Sequence, residues 1–229
     1  MSDRPAATAS KLVVEPEVRE LGLHHVRAWV LTSDTSLMEP VLSAVEATSL
    51  LGRFPHEDST AGYRRLITSL GYPDIAPAGE RLRQAVKERP WKGNGGVVDA
   101  VTVASVVVGG GIGLHDLAAV PDQGSIVVRR SPGGERLIPA FSSRSRPIPA
   151  GDLTYGVRHP DGAFIPMAWL GKRDSDSAEH QVTPESRAVL VVALGHPQDN
   201  PAHTASVITV VAAVLDLLGL PVQFRALAT

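Results

Sequence analysis

The stretch that most constrains the fold runs from Val97 to Asp116, VVDAVTVASVVVGGGIGLHD. An apolar segment with Asp99, Thr102 and Ser105 as its polar residues leads into four glycines within five positions, Gly109, Gly110, Gly111 and Gly113, and then into His115 and Asp116. A segment this apolar has to be covered on every side, so the rest of the chain must build around it. Its valines favour a strand. Its length, about twelve residues without a turn signal, suits a buried helix equally. On a helix, Asp99, Thr102 and Ser105 would recur every third residue along one limited arc. Buried polar groups need partners, either backbone groups of neighbouring loops or a ligand. The glycines allow positive φ and let a ligand come close to the main chain. Their N–H groups can hold a carboxylate, a carbonyl oxygen or an oxyanion, although a tight turn between core elements explains them as simply.

Other chemistries are excluded by what the 229 residues lack. No cysteine is present, so disulfides, Cys-based zinc sites and a cysteine nucleophile are ruled out. No Gly-Lys-Ser/Thr follows the glycines and no GxGxxG occurs, so they are not a phosphate loop of a familiar kind. There is no GxSxG elbow and no HExxH. The eight histidines show no metal-ligand spacing. Asp174, Asp176 and Glu179 in KRDSDSAEH fail the spacing of a calcium loop and read as a solvated acidic segment. Neither metal nor cofactor is expected. The net charge of −2 gives no support to extensive, sequence-independent nucleic-acid binding, so any RNA contact must use local patches. No apolar run reaches the ~18–20 residues of a spanning helix. The first ten residues, MSDRPAATAS, read as a disordered tail without signal-peptide pattern. A cytoplasmic protein with no membrane and no DNA partner is the expectation.

Taken in order, Lys11–Glu15 and Leu21–Thr32 read as strands. Pro40–Gly52 and Ser59–Gly71 read as helices, the second capped by Ser59 or Thr60 and stopped by Gly71. Arg64 and Arg65 lie off its apolar stripe. Glu80–Glu88 is a third helix, and Arg81, Arg83, Lys87, Arg89 and Lys92 make its surroundings the most basic short region of the chain. That region is either a charged helix face or a local RNA patch. After Pro121 the chain becomes β-rich. Ser125–Arg130 and Arg136–Ala140 flank SPGGE as one hairpin, and Leu153–His159 and Ala163–Leu170 flank PDG as another. Lys172–Glu185 reads as a loop. Ala188–Gly195 is a continuous apolar run, read as a central strand, followed by a helix within Asn200–Leu218 and a last strand over Leu220–Arg225. Helices gather in the first half and strands in the second, which indicates α+β rather than a doubly wound sheet.

Several of these segments, in this order, resemble the B3/B4 domain of the phenylalanyl-tRNA synthetase β subunit, and more closely the stand-alone proteins made of that domain alone. They are YRRLITSLGY, ERLRQAVKER, VVDAVTVAS, GGGIGLHDLAAV, IVVRRSPGGERLIP and WLGKRDSDSAEHQVTPESRAVLVV. The resemblance spans Tyr63 to about Leu218. It implies an α+β fold with a central, mostly antiparallel sheet flanked by helices, in a single domain over 11–229. In the synthetase this domain hydrolyses the ester that joins a wrong amino acid to tRNA, and stand-alone relatives act in trans.

Residue by residue, Thr102 matches the family's Asn after Val-Asp, and Gly109, Gly110 and Gly111 match its pocket-lining turn. Gly113 falls where the synthetase form has a His in its editing pocket. That His is absent, and His115 stands two positions on. The family's acidic residue falls near Asp174. The resemblance thus implies a trans-acting aminoacyl-tRNA deacylase, with Asp174 and His115 as catalytic candidates. Thr102, Gly109, Gly110, Gly111, Gly113, Asp116 and Arg173 would bind substrate, and Arg64, Arg65, Arg83, Lys87 and Lys92 would bind tRNA. Two rivals remain: a non-catalytic module that binds aminoacyl-tRNA or an amino acid, and an enzyme that transfers the aminoacyl group to another acceptor.

Overall fold

The valine-rich segment is a helix over Gly96–Val108, 13 residues long. A strand of that length would run to about 40 Å, whereas the helix is about 20 Å long and matches the six-residue strands it covers. It stops at Gly109, whose φ of 78° is left-handed. The computed structural model describes residues 9, 11–54, 60–120 and 124–229.

In chain order the strands are β1 (Leu12–Val14), β2 (Arg27–Thr32), β3 (Ile112–Asp116), β4 (Ser125–Arg130), β5 (Arg136–Leu137), β6 (Arg146–Pro147), β7 (Leu153–Arg158), β8 (Phe164–Leu170), β9 (Asp174–Asp176), β10 (Ala188–Ala193) and β11 (Gln223–Ala226). The helices are α1 (Pro16–Glu20), α2 (Ala44–Arg53), α3 (Thr60–Ser69), α4 (Ala78–Glu88), α5 (Gly96–Val108) and α6 (Pro201–Leu217).

The fold is α+β with mostly antiparallel sheets flanked by helices. One sheet has the order β1-β4-β7-β8-β9, with only the β1–β4 pair parallel. The other has the order β11-β2-β10-β3 and is antiparallel throughout. A third sheet is the two-stranded pair β5-β6. The four-stranded one is the middle layer. Alternate residues of a strand face opposite sides, and both sides of β10 are buried. Leu190 and Val192 pack toward the five-stranded sheet and α3. Val189, Val191 and Ala193 pack toward α5 and α6. Burial on both faces explains why AVLVVA has no polar interruption.

Three expectations need correction. The pair across SPGGE is not a hairpin: β4 bonds to β1 and β7, while β5 pairs with β6. The loop expected over Lys172–Glu185 contains β9, an edge strand on β8. The strand expected from Leu21 begins at Arg27. Of the expected tail, residues 1–8 and 10 lie outside the described residues. Ala9 is buried in the core, and its carbonyl accepts from Arg225. The cap expected at Ser59 also lies outside the described residues.

Candidate functional site

Two sheet edges come together at one place. β3 is an edge of the four-stranded sheet and β9 an edge of the five-stranded one. They are tied by the Asp176 carboxyl, which accepts from the Leu114 backbone of β3. Between the diverging sheets lies a cavity of about 830 Å³, walled on its remaining sides by α4 and α5. That volume lies within the range of small-ligand sites. Helix α5 contributes Val98, Val101, Thr102 and Ser105 to the wall, and Tyr155, Trp169, Asp174 and Asp176 come from β7, β8 and β9. Asp152, itself buried, fixes this side: its carboxylate accepts from Trp169 Nε1 at 2.6 Å, from Tyr72 Oη at 2.8 Å and from the Lys172 N–H at 3.1 Å.

Asp174 and Asp176 are two residues apart on a strand, so both carboxyls face the same side. Asp174 accepts from the Ala78 N–H at 2.9 Å, at the first turn of α4, and lies 4.0 Å from the Arg81 guanidinium. Burial pushes its carboxyl above the usual range, and the Ala78 N–H and Arg81 partly offset that. Asp176 has less support. Burial and the neighbouring Asp174 charge push it up to about 7, against the single stabilising bond from Leu114. Its side chain is 42% accessible, so it remains reachable while the surrounding protein disfavours its charge. A carboxyl with that proton affinity is half ionised near neutral pH, which suits a general base.

Behind the cavity wall, His115 Nε2 lies 2.7 Å from Tyr155 Oη and 3.7 Å from Asp176 Oδ1. His115 is fully buried, and burial pushes it down to about 3, so it is neutral. Its Nδ1 has no hydrogen-bond partner. A buried lone pair left unmatched costs less than an orphaned N–H, so the proton belongs on Nε2, which donates to Tyr155 Oη. Burial holds the Tyr155 phenol far above its ordinary range, so it keeps its proton. With one lone pair occupied by His115, the Tyr155 O–H keeps its proton for another acceptor, and Tyr155 lines the cavity. Gly113 makes this arrangement possible. A Cβ there would stand 1.6 Å from Tyr155 Oη and 2.8 Å from His115 Nε2. The tyrosine hydroxyl thus occupies the space that a side chain at 113 would need.

The structure brings together Thr102, Gly110, Gly111, Gly113 and Asp174 from the expected residues, all on the cavity wall. Thr102 donates its hydroxyl proton to the Val98 carbonyl at 2.8 Å, leaving its oxygen as an acceptor. Gly111 is less available than expected, because its backbone and that of Gly195 bond the buried Tyr63 hydroxyl. His115 lies behind Tyr155 and not on the wall. Gly109 ends α5 outside the cavity lining. Asp116 closes a loop, accepting from the Ala118 N–H at 2.5 Å and from the Ser186 hydroxyl. Arg173 is exposed, outside the lining.

Of the basic residues, Arg64 pairs with Glu80 at 2.5 Å. Arg83 turns inward: Nε donates to the Val106 carbonyl at 2.6 Å and Nη2 to Val107 at 3.1 Å, at the C-terminal end of α5. Its guanidinium is thus engaged within the fold. Arg65, Lys87 and Lys92 are exposed. Asp99 is also structural, accepting from the Leu42 N–H at 3.0 Å and the Asn94 N–H at 2.8 Å.

Tyr155 and the role of Asp176 escaped the sequence reading. The one available signal was the Asp-x-Asp alternation, which puts two carboxyls on one face only if the segment is a strand. Among the described residues, no three His, Asp or Glu side chains converge to hold a metal ion. No helix there is long and apolar enough to cross a membrane.

No family model matches the chain, and no curated protein does. Among solved structures, a crystal structure of an N-terminal fragment of the phenylalanyl-tRNA synthetase β subunit from Pyrococcus horikoshii is similar, with 10% identity and a TM-score of 0.47, over 95% of this chain and 52% of that one. The chain therefore spans about half the length of that fragment. The similarity is a distant structural resemblance.

Proposed function

We propose that this protein is a trans-acting aminoacyl-tRNA deacylase, which hydrolyses the ester of a wrongly attached amino acid, non-protein amino acids included. The observation that carries the reading is the pairing of a carboxyl held near neutrality, Asp176, with a protonated phenol, Tyr155, on the wall of one cavity. Thr102, Gly110, Gly111 and Gly113, which carry the sequence resemblance, line the same cavity.

Ester hydrolysis needs an activated water and a donor for the developing oxyanion. The Asp176 carboxylate takes a proton from water as the water oxygen adds to the ester carbonyl carbon. The carbonyl oxygen becomes an oxyanion and accepts from the Tyr155 O–H. Collapse of the tetrahedral intermediate breaks the bond to the ribose oxygen, which leaves with the proton now on Asp176. The products are a free amino acid and a tRNA with its hydroxyl restored. Asp174 acts through its charge, which raises the proton affinity of Asp176, and His115 positions Tyr155.

Gly111 favours a second reading. Its backbone is engaged by Tyr63, so the glycine turn offers fewer free donors than an oxyanion hole built from backbone alone would need. A module that binds aminoacyl-tRNA without turnover needs no such donors.

The deciding experiment is deacylation of a panel of correctly charged and mischarged tRNAs at catalytic protein concentration. Multiple-turnover loss of one species is the expected result. Binding without hydrolysis of any species would replace the deacylase with the binding module.

A further inference from the structure

The most exposed large apolar side chain among the described residues stands at the mouth of the cavity. Phe141 is 93% exposed and contributes to the cavity lining. It lies on the connection between β5 and β6, and its position is well fixed. The Ala140 N–H donates to the Asp176 carbonyl at 2.8 Å, so the ring is one residue from a direct bond to the carboxyl-bearing strand. The Ser142 N–H donates to the Pro139 carbonyl at 3.0 Å, closing a tight turn. The third residue of that turn, Phe141, has φ of 61°. Glycine takes such a φ without strain and a bulky residue does not. A large apolar ring therefore sits in water, on a strained backbone, beside the site. Neither core packing nor turn geometry calls for it.

The charges around it are of one sign. Arg136, Arg144 and Arg146 lie on the same short hairpin and are exposed. Arg136 holds the hairpin together, donating to Ser145 Oγ at 3.0 Å and to the Ser145 carbonyl at 3.2 Å. Among the described residues, neither Arg144 nor Arg146 makes an ion pair. Inside the mouth, Asp174 and Asp176 stand on the wall beside Arg81. A polyanion is thus attracted to the rim.

An exposed aromatic ring beside unpaired guanidinium groups is the chemistry that holds single-stranded nucleic acid: a base stacks on the ring and phosphates pair with arginine. We infer that Phe141 is a stacking platform for the unpaired 3′-terminal nucleotides of an RNA, with Arg144 and Arg146 holding the adjoining phosphates. This rests on the aminoacyl-tRNA reading and gives it a direction of approach, over the β5–β6 hairpin and not over α3 and α4. The stacked base lies at the rim while the esterified ribose reaches the Asp176 and Tyr155 groups inside.

The test compares wild type, Phe141→Ala, Phe141→Tyr and Phe141→Leu, all exposed changes that leave the core untouched. The first readout is affinity for uncharged tRNA and for the same tRNA with its single-stranded 3′ end trimmed. The second is KM and kcat for deacylation. Loss of one stacked base weakens binding by about 5- to 150-fold. Phe141→Ala should therefore lose affinity for intact tRNA and raise KM with kcat little changed. Phe141→Tyr should retain wild-type affinity, Phe141→Leu should not, and all four proteins should bind trimmed tRNA alike. Replacing Arg144 and Arg146 together by Ala should reduce the slope of log affinity against log salt by about 1.4, the value for two phosphates of a single strand.

Wild-type binding that does not distinguish intact from trimmed tRNA would overturn the inference whether or not the protein hydrolyses anything. So would full rescue by Phe141→Leu, which would make the ring an apolar lid. Deacylation that is unchanged in Phe141→Ala would remove the platform and leave the deacylase standing. Absence of deacylation, with stacking-dependent tRNA binding, would remove the deacylase and keep the platform.

Discussion

Replacing Gly113 by Ala puts a methyl carbon where Tyr155 Oη now lies, 1.6 Å away. A hydroxyl this close to the new carbon has to move, so the substitution should cost about 1–3 kcal/mol of stability, as overpacking does, and abolish deacylation. The same change at Gly111 should leave folding and rate close to wild type. A Cβ there meets Tyr63 Cε1 at 3.4 Å and Leu194 Cδ1 at 3.9 Å, which are ordinary contacts. Thermal melts and turnover of the two variants check this contrast between neighbouring glycines. Tyr155→Phe keeps the cavity shape and removes the donor. Loss of one oxyanion donor lowers kcat by roughly 100-fold or more, and single-turnover rates would reveal it. Asp176 sets the pH dependence. A base held at about 7 is active when ionised, so kcat/KM should rise with pH and level off above that value. Asp176→Asn should be inactive across the range, and a full pH profile that survives in it would exclude Asp176 as the base.

Among the elements, α4 is the one whose role changed most between sequence and structure. Its basic residues read as either a charged helix face or a nucleic-acid patch, and Arg83 bonds the last carbonyls of α5 and Thr60 Oγ1 at 3.1 Å. Hydrogen bonds from a charged donor contribute about 1.5–3 kcal/mol when partly buried. Arg83→Ala should therefore lower the urea midpoint while leaving tRNA affinity unchanged, the reverse of what an RNA contact predicts. Helix α5 shows what was legible and what was not. Its burial was evident from Val97 to Val108, because twelve largely apolar residues admit no exposed side. Its helical state was not, because valine propensity and segment length pull in opposite directions. The glycine turn and Thr102 could be read as site residues from local composition. The Tyr155–His115 bond joins residues 40 positions apart and leaves no local mark. Asp176 was read as solvated because DSD looks like loop, and only its pairing with Ala168 as part of β9 turns the carboxyl inward.

On the scale of the whole molecule, two titrating groups of the site, Asp176 and His115, pull stability in opposite directions. The folded value of Asp176, about 7, lies above its unfolded value of about 3.9, so its contribution is fully present below the latter and is lost as pH rises through the former. His115 is held at about 3, below its unfolded value of about 6.5, so its contribution is present above the latter and is lost as pH falls through the former. Removing the carboxylate alone breaks this balance. Asp176→Asn should gain stability over wild type as pH rises from 5 to 8, measured as the difference in urea midpoints. A difference independent of pH would contradict the raised proton affinity. The placement of the cavity has a further consequence. An uncovered strand edge is a template for pairing with another chain, and here two sheet edges, β3 and β9, are covered by each other and by the 139–142 turn. The region that holds the chemistry is also where neighbouring molecules would add strands if that turn were unseated, so damage there should lead to aggregates before it leads to unfolded monomers.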